Sequence, residues 1–227
     1  MKHLCLPLVL LLSLAVAQAS PFSEAFESWK MVDGAGQHAD FVKFRSELLG
    51  VVERRDAAAL KSYLSPQIQY SFGLDKPGPA GFYARWRPAQ ADCELWKELG
   101  LVLRNGGSFD NQGMFTAPAW YASWPAGRDE MEWGVVSDAA VKVYSEARAD
   151  SRTLPEIGPC WVHISQNPAS QNQEAFTCID LPKSMQDPYK VESAFVARDQ
   201  VHRLLGYRAV FARRQGRWQM LSFLSGD

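Results

Sequence analysis

Between Trp133 and Val196 the chain breaks into short runs of β-branched and aromatic residues. They are Trp133-Gly134-Val135-Val136, Val141-Lys142-Val143-Tyr144, Cys160-Trp161-Val162-His163-Ile164, Phe176-Thr177-Cys178-Ile179 and Tyr189-Lys190-Val191. Segments rich in Ser, Asp, Asn, Gly and Pro separate them. Runs this short do not sustain a helix, and their composition suits a pleated, half-buried surface. The pattern predicts a small all-β barrel or sandwich.

The same stretch resembles a bacterial SH3-like domain. The family opens on a V-N-V-R-S-G-P-like strand, and Val141-Lys142-Val143-Tyr144-Ser145-Glu146-Ala147 stands in its place. Both valines and the serine match; the Arg, Gly and Pro are replaced. Thr153-Leu154-Pro155-Glu156-Ile157 is similar to the family's V-I-G-T-L step, and Val191-Glu192-Ser193-Ala194-Phe195-Val196 to its closing strand, with Tyr189-Lys190 where the family has Gly-Trp. The resemblance covers about a third of the 227 residues. It implies an SH3-like β-barrel over residues 133–205 that binds a peptide or cell-wall ligand. Small β-modules bind peptides on exposed rings, which nominates Tyr144, Trp161 and Tyr189 as ligand-binding residues.

The first 19 residues read as a secretory signal peptide. Lys2 supplies the basic start, Leu4 to Val16 the apolar run, and Ala17-Gln18-Ala19 the cleavage site. The run is too short to span a bilayer, and no later run is long enough, so no transmembrane segment is expected after cleavage. The expected location is periplasmic or secreted. Twenty-four basic residues against 25 acidic ones leave no excess that would draw nucleic acid. In an exported protein cysteines pair by default. Cys160 and Cys178 lie on neighbouring predicted strands and are expected to form a disulfide, leaving Cys93 as a buried thiol.

The flanking segments predict an α+β domain. Phe41, Phe44, Leu48, Val51 and Val52 recur at helical spacing between His38 and Arg55. Asp56 caps a second helix carrying Leu60, Tyr63 and Leu64, which Pro66 stops. Ile68, Tyr70 and Phe72 alternate as a strand. A short helix carries Phe82, Tyr83 and Trp86, and another runs from Asp92 to Arg104 with Leu95, Trp96, Leu99, Val102 and Leu103 inward. Ser108 to Arg128 reads as an aromatic packed loop. Tyr207–Phe211 and Trp218–Leu224 form a hairpin about Arg214-Gln215-Gly216-Arg217. An isolated hairpin is marginal in water, so this one is expected to complete a sheet with the Ile68–Phe72 strand. The expected architecture is therefore a discontinuous α+β domain, residues 20–132 plus 206–227, closed by the C-terminal hairpin, with the SH3-like barrel inserted at 133–205.

No nucleophile elbow, H-E-x-x-H helix or P-loop occurs. Asp92-Cys93 at a helix start resembles the Asp-Cys of cell-wall cysteine peptidases, where the helix N-terminus lowers the thiol pKa. Glu94-Leu95 replaces the Ser-Gly that follows there, and only His163 and His202 lie downstream, so a non-catalytic cysteine is expected. Cys160 and His163 are three apart on a strand and point to opposite faces, which argues against a metal pair. Glu130 and Glu132 read as a solvated edge, and Arg213, Arg214 and Arg217 as a soluble hairpin tip. The residues nominate no catalytic set, metal or cofactor. The expected function is non-enzymatic interaction with a peptide, protein or peptidoglycan partner. A cell-envelope enzyme, for example a cell-wall hydrolase with its site in the aromatic-rich N-terminal domain, is the alternative, and a structural assembly partner the third reading.

Overall fold

Helix α2 (Ala39–Glu53) buries Phe41, Leu48, Val51 and Val52 on one face. This computed structural model describes residues 21–73, 75–167 and 174–226; the expected leader lies outside them. Helices α1 (Pro21–Glu24) and α3 (Ala57–Leu60) flank α2, and Asp56 caps α3 by accepting from the Ala59 amide at 2.9 Å. Past α4 (Pro79–Trp86), α5 (Leu95–Arg104) buries Leu95, Trp96, Leu99, Val102 and Leu103. It crosses α2 at Gly100, where a Cβ would meet Val52 Cγ1 at 3.4 Å. None of the described helices is long and apolar enough to cross a membrane.

Helix α1 packs on the later β strands, whereas helices α2 to α5 pack against a five-stranded mixed sheet. Its strands are β1 (Leu64–Gln69), β2 (Ser108–Phe109), β3 (Phe115–Ala117), β10 (Arg208–Arg214) and β11 (Arg217–Leu224), in the order β1-β11-β10-β3-β2. The closing hairpin β10–β11 lies at its centre, with β1 parallel to β11. Its two-residue turn holds Gln215 and Gly216 at φ 50° and 78°, the left-handed pair that matches strand twist. The first strand begins at Leu64, earlier than the Ile68–Phe72 alternation predicts. Pro66 lacks an amide donor, and an edge strand tolerates that loss. The aromatic stretch after Ser108 is not all loop: it supplies β2 and β3. Phe41, Phe115 and Phe211, all fully buried, meet at the centre of this core.

Two further sheets follow. Strands β4 (Trp133–Val136) and β7 (Cys160–His163) pair antiparallel. Strands β5 (Val141–Tyr144), β6 (Thr153–Ile157), β8 (Phe176–Asp180) and β9 (Ser193–Ala197) form a four-stranded sheet in the order β6-β5-β9-β8. The expected closed barrel is not what forms; both sheets are open. The free edges of β4 and β7 are taken by other chain segments. The Trp161 amide donates to Glu27 at 2.8 Å, and Val135 exchanges two 2.8 Å bonds with His202. The segment that covers β7 also inserts Phe22 and Phe26 into the β core beside Val143, Ile157 and Val196. Tyr189 lies in no strand: it ends α7 (Lys183–Tyr189), which Lys190 terminates at φ 55°.

The expected Cys160–Cys178 disulfide is absent: both thiols are free and buried. Ile164 bridges Ile179 antiparallel, and Ser165 donates its amide to the Cys178 carbonyl at 2.9 Å. Cys178 therefore sits opposite Ser165, about 16 Å along the strand from Cys160 at 3.3 Å per residue. A disulfide needs Cα atoms within about 7 Å. Burial pushes the Cys160 thiol pKa up to about 12, which keeps it protonated and inert.

Peptide mapping under non-reducing, denaturing conditions is expected to recover Cys93, Cys160 and Cys178 all as thiols; a linked pair would contradict this register. Phe211→Ala is expected to lower unfolding free energy by about 3–5 kcal/mol, as truncation of a fully buried ring does. Urea titration followed by circular dichroism measures it.

Candidate functional site

Residues 198–207 cross from the β sheets back to β10. A 3-10 turn over Arg198–Gln200 starts the crossing, and Val201 then passes over β4. A Cβ on Gly134 would lie 2.6 Å from Val201 Cγ1, so the close approach requires glycine there. His202 is held between Val135, through the two backbone bonds, and Trp120 on α6 (Ala119–Ala122). Its ring stacks on the indole at 4.3 Å and 7°. Nε2 shares a 3.0 Å hydrogen bond with Ser137 Oγ. Burial pushes the His202 pKa down to about 4, against the opposing pull of Asp138 and Asp199, so the ring is neutral at neutral pH.

This crossing floors a cleft of about 670 Å³ between the α5–α6 side and the ends of β7 and β8. Trp120, Phe176 and Tyr207 supply aromatic surface, and Ser165, Gln166 and Thr177 supply polar groups. Charges of both signs also line it. Glu98 of α5 is half-buried, and that burial raises its pKa. Arg203 is half-buried, and burial followed by the nearby charge of Arg198 lowers its pKa. At the rim, Lys97 pairs with Asp199 at 3.8 Å. Cys178 reaches the lining too, with 4% of its surface exposed. No hydrogen bond joins it to His202 among the described residues.

The three rings nominated from sequence fall in three separate environments. Tyr144 on β5 is half-buried and meets Phe176 edge-on at 5.6 Å. Tyr189 packs edge-on against Phe22 at 5.0 Å. Trp161 is not a surface ring: it is 6% exposed, in a cluster with Trp29, Trp120 and Val135. The Arg128 guanidinium stands 4.3 Å from both the Trp133 and Trp161 rings and pairs with Glu27 at 2.7 Å. No single strip joins the three rings.

The other candidates are also placed. Cys160 points into the β core, whereas His163 is half-buried and holds Asp180 at 2.7 Å through Nδ1. No group of three or more His, Cys, Asp or Glu among the described residues is placed to hold a metal. Cys93 is half-buried and donates its thiol to the Trp86 carbonyl at 2.9 Å. Glu98, Trp120 and Arg203 carry no sequence signal as cleft residues, and His202 enters from sequence only as a histidine downstream of Cys93. They lie on different elements, and no local spacing joins them.

The neutral burial of His202 makes stability depend on pH. Its folded pKa of about 4 lies below the unfolded 6.5. Between those values the unfolded chain binds the extra proton, so acid favours unfolding. This contribution is fully present above about pH 6.5 and declines on acidification toward pH 4, by about 3 kcal/mol in all. Urea titrations at pH 7.0 and 4.5 are expected to show a smaller acid loss in His202→Asn than in the parent protein. Equal losses would assign the acid sensitivity to carboxylates alone.

No protein-family model, curated protein or solved structure matches this chain.

Proposed function

We propose that the protein is a non-enzymatic interaction protein of the cell envelope, exported to the periplasm or beyond, which holds a peptide or cell-wall ligand in the cleft above residues 198–207. The observation that carries this reading is the lining. Pre-formed clefts of this size that combine rings with a few polar groups are binding sites by default. Ser137, the partner of His202 Nε2, does not line the cleft, and Cys178 has no base at hydrogen-bond distance among the described residues. Export rests on the basic, apolar and Ala-Gln-Ala series of residues 1–19.

We read the β part, residues 133–205, as a divergent SH3-like module. Supporting this, β5 and β6 carry the residues of the resemblance and pair with each other, and Val141 and Val143 both face the core. In that reading Phe176, Thr177 and Gln166 are the module's contribution to the ligand, and the half-buried Tyr144 reaches it only through Phe176.

One observation favours an enzyme as the second reading. A neutral histidine 3.0 Å from a serine hydroxyl has the form of a base and its nucleophile. A fluorophosphonate probe separates the two: labelling of Ser137, lost in His202→Asn, would establish a hydrolase, and the binding reading expects none.

The binding reading is tested by co-sedimentation with purified peptidoglycan sacculi. The protein is expected to pellet with sacculi, and Phe176→Ala to weaken that by about tenfold, the usual loss on truncating an anchoring ring. Recovery entirely in the supernatant would overturn a cell-wall ligand.

A further inference from the structure

Resting on the reading of this cleft as the ligand site, we infer that its ligand is a short zwitterionic peptide, whose carboxylate meets Arg203 beside Arg198 and whose ammonium meets Glu98. Both line the same cleft and both are half-buried. Neither forms an ion pair among the described residues, with each other or with any other group. Half-buried charges left without partners are costly, and proteins ordinarily pair them.

The two charges lie in regions of opposite sign. Arg203 feels the like charge of Arg198, so an anion beside Arg203 is favoured there. Glu98 has Glu94 and Asp199 as like-charged neighbours, and the one lysine beside it, Lys97, attracts it but is shared with Asp199 at 3.8 Å. No cation reaches ion-pair distance of Glu98 among the described residues. The guanidinium fork matches a carboxylate in plane and spacing, and partial burial strengthens both attractions. Trp120 and Phe176 are uncharged and apolar lining of the same cleft, suited to a backbone and small side chains.

Other ligand chemistries satisfy only half of this arrangement. A phosphate group neutralises Arg203 but is repelled at Glu98. A neutral sugar leaves both charges unpaired. A peptide with free ends, or a cell-wall peptide bearing an amine and a carboxylate, satisfies both at once.

Calorimetry of the full protein with trialanine, its N-acetyl form and its C-terminal amide tests this. The uncapped peptide is expected to bind, and each cap to weaken binding by about thirtyfold, as loss of one partner of a hydrogen-bonded charge pair does. Arg203→Gln is expected to abolish discrimination against the amide while keeping that against the acetyl form, and Glu98→Gln to do the reverse, with circular dichroism unchanged in both. Equal affinity for all three forms, no uptake of trialanine at millimolar concentration, or an unchanged pattern in either variant would overturn the inference. Sacculus binding without trialanine binding would overturn the zwitterion site and leave the cell-wall reading standing. Loss of both would overturn both. Trialanine that displaces the protein from sacculi would support the site and assign the ligand to the wall's own peptides; trialanine that binds without displacing it would support the site for free peptides.

Discussion

The structure depends on how residues 201 and 202 cross β4. Two 2.8 Å backbone bonds between Val135 and His202 give β4 a partner on the side away from β7. The imidazole then carries the link sideways to Trp120, which belongs to the short helix following β3. One histidine thus ties the two-stranded sheet to the five-stranded sheet. The next strand in the chain is β10, whose register against β3 and β11 organises the aromatic core. Because the crossing is also the cleft floor, the geometry of the site and the junction between the sheets are one constraint.

A second constraint ties the N-terminal segment to the strands β4 and β7. Arg128 lies between the rings of Trp133 and Trp161, and Glu27 fixes the guanidinium from the N-terminal segment. Cation–π attraction strengthens as water is excluded, and this guanidinium side chain is only 15% exposed. The tryptophans here are structural: Trp29, Trp120 and Trp161 close a small core of their own between the larger two. A sequence with eight tryptophans admits both readings, core or ligand surface, and packing assigns these three to the core. Only Trp120 does both, since it lines the cleft as well.

What the sequence makes legible is whatever depends on local period. The faces of α2 and α5, the cap at Asp56 and the turn at Gln215-Gly216 all follow from spacing and turn chemistry within a few residues. What it leaves illegible is pairing over distance. Phe22 and Phe26 sit in a segment with no period, yet they are buried in the β core because they cover a strand edge. The same edge-covering keeps the sheets open where a barrel is expected. Cys160 and Cys178 lie on strands adjacent in sequence, but the bridge at Ile164–Ile179 offsets them along the strand. Tyr189 shows the local case failing for a local reason: Pro182 opens a short helix there before the β pattern resumes at Ser193. The cleft was invisible because Glu98, Trp120 and Arg203 become neighbours only after three chain segments have packed.

A ligand in this cleft and a proton on His202 act on the same junction in opposite directions. The walls come from α5 and α6 on one side and from β8 and the crossing segment on the other, so an occupant that touches both adds free energy to their association. By linkage that gain is RT ln(1 + [L]/Kd), about 2.7 kcal/mol at a hundredfold excess over Kd. Protonation of His202 requires charging a ring buried against Trp120, which weakens the floor by a comparable amount. Two terms of similar size and opposite sign on one element make ligand affinity pH-dependent even though the ligand need not touch the imidazole. In the proposed binding reading, acid that charges His202 is expected to lower the apparent affinity. Arg203 and Glu98 supply the charge complementarity of the proposed peptide site, and the neutral histidine between the sheets supplies rigidity to the floor beneath them.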